Sequence, residues 1–327
     1  MKKHLNRRNL SLVIKWGVAI VALLFIFRQI QLKDRSHEVL DDLQLLVRSE
    51  SIPFLILLLV GTAINWSLEA YKWEVLLRGK EDVSFWRSLK AVFSGVTIAV
   101  CTPNRVGEYA GRVFHLRQAD LIDGVLLTIV GSLAQLLITV MAGLVALTFY
   151  LPRFVGLGPL DPIRYYITSV STIIICSLLV LFYLNSHALT PYIERLPMSK
   201  KVKKYAKVLT LHDRNDLLRI LLASLGRYVV FSSQFMLLLW LFGVKVPLLE
   251  GLMMVGLSYY VMTIIPTIAI TELGIRGTVS LYFIGQLSDN VAGIVSASSV
   301  LWFINLVLPA LLGVVFIFEM KFFRKED

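Results

Sequence analysis

The hydrocarbon core of a bilayer is about 30 Å thick, and a helix needs roughly 20 apolar residues to cross it. Six stretches of this chain are of that kind: residues 11–28, 52–71, 121–150, 163–184, 217–242 and 289–319. Few other folds accommodate six such runs. With 57% hydrophobic and 17% charged residues and a mean hydropathy of +0.73, a 327-residue soluble domain would have too little interior for its apolar surface. The pattern predicts an all-α polytopic membrane protein.

The formal charge of +11 raises the question of nucleic acid. Lys and Arg fall in short loops between the apolar runs, however, as cytoplasmic loops require, and no basic stripe is interleaved with aromatics. No nucleic-acid partner is expected. Cys101 and Cys176 both lie in apolar segments, which makes them buried thiols rather than a disulfide framework. The N-terminus, MKKHLNRRNLSLVIKWGVAIVALLFIF, has the basic and apolar parts of a signal peptide. No small-residue cleavage site follows, so residues 11–28 are expected to stay as a first span. Neither end carries a lipidation or retrieval signal.

Two further apolar regions, 84–117 and 248–287, are each interrupted near the middle by a proline and then by charges. Counting Lys and Arg puts the N-terminus, 72–90, 104–117, 185–219 and the tail in the cytoplasm, and the acidic loop 28–51 outside. In that loop HEVLDDLQLLVRSE has helical apolar spacing and is expected on the membrane surface. Region 84–117 must then begin and end inside, and 248–287 must begin and end outside. Two re-entrant hairpins satisfy this, and so do two pairs of short full spans. The first gives about eight transmembrane segments: six full spans and two broken hairpins. Residues 1–150 (hairpin 84–117) and 151–327 (hairpin 248–287) then form two membrane repeats of inverted topology, an arrangement common among secondary transporters. The location expected is the cytoplasmic (plasma) membrane, multi-pass, with both termini cytoplasmic.

The broken regions also correspond in sequence. The first reads PNRVGEYAGR, with Glu108 and Arg112 four apart after Pro103 and Arg105. The second reads PTIAITELGIR, with Glu272 and Arg276 four apart after Pro266. Four residues on a helix put acid and base on one face. Ionised side chains and non-helical backbone at membrane depth are tolerated only inside protein or beside water. Each pair is therefore either a staple within its hairpin or part of a substrate pocket, and the two roles are compatible. Pro103, Gly107, Pro266 and Gly274 are candidate hinges. Arg227 lies about ten residues into its span, roughly 15 Å deep, where it could snorkel or pair with an acid. Because a lipid-facing Arg is costly there, it is expected to face the cavity. Gln135 and Asn305 hold similar mid-span positions, suited to helix–helix hydrogen bonds or to substrate contact. Glu69 and Lys72 fall at the cytoplasmic end of 52–71 and read as interfacial.

At these residues the chain resembles the lysylphosphatidylglycerol synthase transmembrane-region family of flippase-like membrane proteins. The family's Pro-x-Arg-x-Gly-Glu block with a nearby Arg corresponds to Pro103, Arg105, Gly107, Glu108 and Arg112. Its second block, a Pro-Gly-Gly-Leu-Gly-like stretch followed by a glutamate, is degenerate here. ITELGIRGT keeps Leu273 and Gly274, has Thr271 and Glu272 for the paired glycines, and has Gly277 at the later glutamate position. The resemblance implies movement of an aminoacylated phospholipid between leaflets. In fused members a separate soluble domain makes that lipid; this chain runs only about eight residues past its last span, so a separate lipid-synthesising enzyme is an implied partner.

Other chemistry finds little support. Gly156 and Gly158 in FVGLGPLDP belong to a turn, not a nucleotide-binding strand–helix junction, and the five histidines (4, 37, 115, 187 and 212) show no metal-ligand spacing. No cofactor and no metal site is expected. The run KKVKKYAK is a cationic loop suited to anionic headgroups. Three function classes remain. One is a translocator of a polar-headed phospholipid or lipid-linked glycan, with membrane lipids of anionic or zwitterionic headgroup as partners. The others are a membrane-embedded lipid-modifying transferase and an ion-coupled small-solute transporter. The first is preferred, and the chain is expected not to be an enzyme.

Overall fold

The computed structural model describes residues 51–100, 102, 105–154, 162–195, 199–265 and 269–318. The expected first span 11–28, the loop 28–50, Cys101, Pro103, Pro266 and the tail fall outside them. All regular structure among the described residues is helical, and no strand occurs.

Helix α1 (Ile52–Leu77) opens with a proline in its first turn, where a missing N–H costs nothing, and ends before Gly79, whose φ of 78° turns the chain. The first interrupted region forms two helices, α2 (Phe85–Val100) and α3 (Gly107–Val113). The two arms meet backbone to backbone: a Cβ on Gly111 would lie 2.4 Å from Gly95 Cα. α4 (Leu121–Phe154) and α5 (Pro162–Leu184) follow, and then α6 (Thr190–Arg195) and α7 (Lys200–Val208), which carries the cationic run.

α8 (Arg214–Leu241) is capped by Asp213, whose carboxylate accepts from the Asp216 N–H at 2.8 Å, and is closed by Gly243 at φ 74°. The second interrupted region forms α9 (Leu248–Ile264) and α10 (Ala269–Ile284). The closing element is not the single α-helix that the apolar run 289–319 suggests. It runs as α11 (Val291–Trp302), a π-helical turn (Phe303–Val307) and α12 (Leu308–Ile317). Pro309 supplies the reason: a proline removes one backbone donor and its ring crowds the carbonyl four residues back, here that of Asn305, so the turn before it widens.

Five elements are long and apolar enough to cross a membrane: α1, residues 121–150 of α4, α5, α8, and the closing element from Val291 to Ile317. They coincide with five of the six runs picked out by composition. Burial ranks them: 17% of the most apolar window of α5 is buried against 61% of the closing element's, so α5 is peripheral and the closing element central. α1 and α8 pack antiparallel, with Arg78 beside Asp216, Asn65 beside Arg227 and Gln234 beside Leu58. Two apolar clusters result. One gathers Trp73, Leu76, Val92, Val96 and Leu127 with the start of α8; the other gathers Phe235, Leu238, Val255, Ile294 and Ala297 with the start of α1. The space between them is polar.

A buried carboxylate fixes the loops below α2 and α3. Glu81 accepts from the backbone N–H groups of Arg117, Gln118 and Ala119 at 2.8–3.1 Å and from the Arg87 guanidinium. Beside it Lys80 meets Asp123 at 2.8 Å.

Candidate functional site

Between the clusters lies a cavity of about 420 Å³, within the ~300–1,000 Å³ usual for small-molecule sites. Arg105 and Glu108 reach it from the first broken region, and Glu272 and Arg276 from the second. Arg227 comes from α8, Gln135 from α4 and Asn305 from the π turn. Thus residues of both broken regions, far apart in sequence, share one space. Arg112 stands behind the wall, 2% exposed, bonded to residues that line it.

The hub is Glu69, a residue that its place near the end of an apolar run makes look interfacial. α1 continues six residues beyond that run, to Leu77, so Glu69 and Lys72 sit more than a turn inside the helix and are buried. Glu69 Oε1 accepts from Arg112 Nη2 at 2.7 Å, and Oε2 accepts from Lys72 Nζ at 3.1 Å and from Arg227 Nη1. Arg112 also pairs with Glu108, as the four-residue spacing predicts. Arg276 places Nε and Nη2 on Glu272 Oε1 at 3.0 and 2.8 Å. Arg112 lies over the Trp73 ring and Arg227 over that of Trp66, at 5.7 and 5.6 Å, so aromatic faces share the load of the buried guanidinium groups.

A hydrogen-bonded row leads away from Arg227. Its Nε donates to Asn65 Oδ1 (2.9 Å), and Asn65 Nδ2 donates over a long 3.5 Å to Asn305 Oδ1. Asn305 Nδ2 donates to Gln234 Oε1 (3.0 Å), and Gln234 Nε2 to the Leu58 carbonyl (2.7 Å). The widened π turn presents Asn305 to this row, which ties α1, α8 and the closing element together across the middle of the molecule.

Among the described residues, five that line the cavity keep an unmatched polar atom, two of them the indole N–H groups of Trp66 and Trp302. Arg105 Nε, Gln135 Oε1 and Glu272 Oε2 are buried and have no hydrogen-bond partner among the described residues. Arg105 has no ion pair among them either, and its backbone sits at φ 57°, a region that a side chain makes costly. Among the described residues, five bases (Lys72, Arg105, Arg112, Arg227, Arg276) and three acids (Glu69, Glu108, Glu272) line or back the cavity, a net of two positive charges. Its apolar wall includes Leu136, Met262, Tyr228, Tyr259 and Trp302.

The hinge candidates separate. Gly107 is closely packed, since a Cβ there would lie 2.6 Å from the Ile98 carbonyl; Gly274 is exposed, with open space for a side chain. Pro103 and Pro266 are outside the described residues. Sequence spacing brings out the Glu108–Arg112 and Glu272–Arg276 pairs but not the hub, because the partners of Glu69 lie 43 and 158 residues away. Among the described residues no group of three or more His, Cys, Asp or Glu side chains is placed to hold a metal ion.

No curated protein and no solved structure matches this chain. A family model does: that of the lysylphosphatidylglycerol synthase TM region, over residues 12–313. The described residues form no soluble domain, and the five apolar helices fit a membrane location. With the match running over nearly the whole chain, this membrane protein belongs to the lysylphosphatidylglycerol synthase TM-region family.

Proposed function

We propose that the protein carries a polar-headed phospholipid or lipid-linked glycan between the leaflets of the cytoplasmic membrane, with the headgroup in the cavity and its phosphate on Arg105. The observation that carries this reading is the unpaired, strained Arg105 in a cavity with excess positive charge. Uncompensated buried charge is costly, and a bound anion removes the excess. A planar guanidinium meets two phosphate oxygens at once, which an ammonium does not reproduce. The unmatched acceptors Glu272 Oε2 and Gln135 Oε1 suit amine or hydroxyl donors of a headgroup, anionic or zwitterionic. The family supports lipid handling in general. Translocation rather than catalysis is favoured because, among the described residues, Glu69, Glu108 and Glu272 are each engaged by a guanidinium group, which holds them as charged partners rather than as general bases.

An inverted repeat with two re-entrant hairpins is the architecture that goes with this reading. Equivalent positions support it. Asn65 and Arg227, thirteen residues on from Ile52 and Arg214, meet each other. Gln135 and Asn305, fourteen residues on from Leu121 and Val291, line the same cavity. Gly143 and Gly313 are twenty-two residues on from the same starts. Gly143 lets Tyr260 of α9 approach to 2.4 Å from a would-be Cβ, and Gly313 lets Thr97 of α2 approach to 2.3 Å. Thr97 and Tyr260 are each twelve residues on from the start of their own helix. Each half thus receives the other's broken region at a matching glycine.

The test is transfer. Purified protein reconstituted into phosphatidylcholine vesicles should move a headgroup-labelled phosphatidylglycerol from the outer to the inner leaflet faster than protein-free vesicles. A protein that accumulates water-soluble phosphates and leaves lipid asymmetry untouched would instead be a solute transporter.

A further inference from the structure

Lys72 is the least satisfied cation of the hub. It is 1% exposed, and its Nζ has one acceptor among the described residues, Glu69 Oε2 at 3.1 Å, whereas an ammonium has three protons to place. That same carboxylate already receives Arg112 and Arg227. The charged groups gathered with it on the same carboxylate are Arg112 on α3 and Arg227 on α8, and Glu108 on α3 pairs in turn with Arg112. On α4, Gly131 lies beside Lys72, since a Cβ there would come to 3.9 Å from Lys72 Cε. Arg105, Glu272 and Arg276 share the cavity with it. The immediate group, three bases on two acids, carries one positive charge in excess.

Two things remove that charge: an anion in the cavity, or loss of a proton. The four guanidinium groups do not shed theirs in proteins, whereas a buried lysine amine does. Protonating Glu69 or Glu108 instead would strand the cations they hold. We infer that Lys72 is a proton-binding coupling site, taking up one proton as an anionic headgroup enters the cavity and releasing it as the headgroup leaves. The inference rests on the reading of the cavity as an anion site. In the step, the lone pair of the Lys72 amine accepts a proton drawn from bulk water, forming a third N–H bond, and the spare N–H groups gain headgroup oxygens as acceptors from the cavity side. No other bond changes. Linkage makes the effect reciprocal: an anion that favours the ammonium binds better where protons are plentiful.

The experiment is calorimetric titration of the full-length protein in neutral detergent with short-chain phosphatidylglycerol, in two buffers of different ionisation enthalpy. A parallel arm uses glycerol phosphate as a free anion. The expected result is net uptake approaching one proton per lipid bound in the alkaline range, with affinity falling up to roughly tenfold per pH unit there. In Lys72→Arg, whatever its affinity, the protons taken up per lipid bound should drop to about zero. Lipid binding with no uptake and no pH dependence in the unmodified protein would overturn the coupling and leave the cavity reading standing. Uptake that persists in Lys72→Arg would move the proton to another group and overturn the assignment. No phosphatidylglycerol binding, or uptake with glycerol phosphate alone, would overturn the lipid-anion reading and this inference with it. The pH dependence of the unmodified protein decides the matter even if the variant does not fold.

Discussion

Glu69 shows what one carboxylate can hold together. Lys72, Arg112 and Arg227 all converge on it from three helices, and Trp66 and Trp73 lie over two of the guanidinium groups. Removing one partner from a buried charge network strands the others, at a cost of about 3–5 kcal/mol. Glu69→Gln keeps the shape and deletes the charge, so its melting temperature in detergent should fall well below that of the unmodified protein; an unchanged melt would mean the cations have other partners. A local reading of the sequence cannot find this hub. Spacing of four residues exposes Glu108–Arg112 because both lie on one turn of one helix, whereas Arg112 and Arg227 reach Glu69 only through packing.

The interrupted regions are the elements most legible beforehand: each forms two helices rather than one, α2 with α3 and α9 with α10. What could not be read is how the first one is anchored. Glu81 looks like an ordinary loop acid, yet it is buried and accepts from three successive backbone N–H groups and from Arg87. Hydrogen bonds to a charged acceptor are worth about 1.5–3 kcal/mol each in net stability. Glu81→Gln should therefore lower thermal stability by an amount of that order and loosen residues 114–120, visible as faster amide exchange there. Full protection of those amides in the variant would contradict the anchoring role. The π turn at Phe303–Val307 was likewise hidden inside a uniformly apolar run, although Pro309 marks its cause.

At the scale of the whole molecule, the apolar runs of the described residues reappear as five long helices, since hydrophobic length is a property that sequence states directly. The cavity between the two clusters is not stated anywhere in the sequence; it arises because α1 and α8 cross antiparallel and carry polar residues at their middles. If α2 and α3 form a hairpin that returns to the cytoplasmic face, cysteines introduced one at a time over residues 98–106 should react with membrane-impermeant reagents from that side alone. Reaction from outside at any of them would favour two short full spans. Arg105 is central to transfer, a cavity base with no ion pair among the described residues. The most direct measurement is leaflet-to-leaflet transfer of labelled phosphatidylglycerol by Arg105→Lys in reconstituted vesicles, with a melting curve on the same preparation. The variant should fold with an unchanged melting temperature and lose most of its transfer. Normal transfer, or loss of transfer only because the protein unfolds, would contradict that role and leave Arg105 a structural residue.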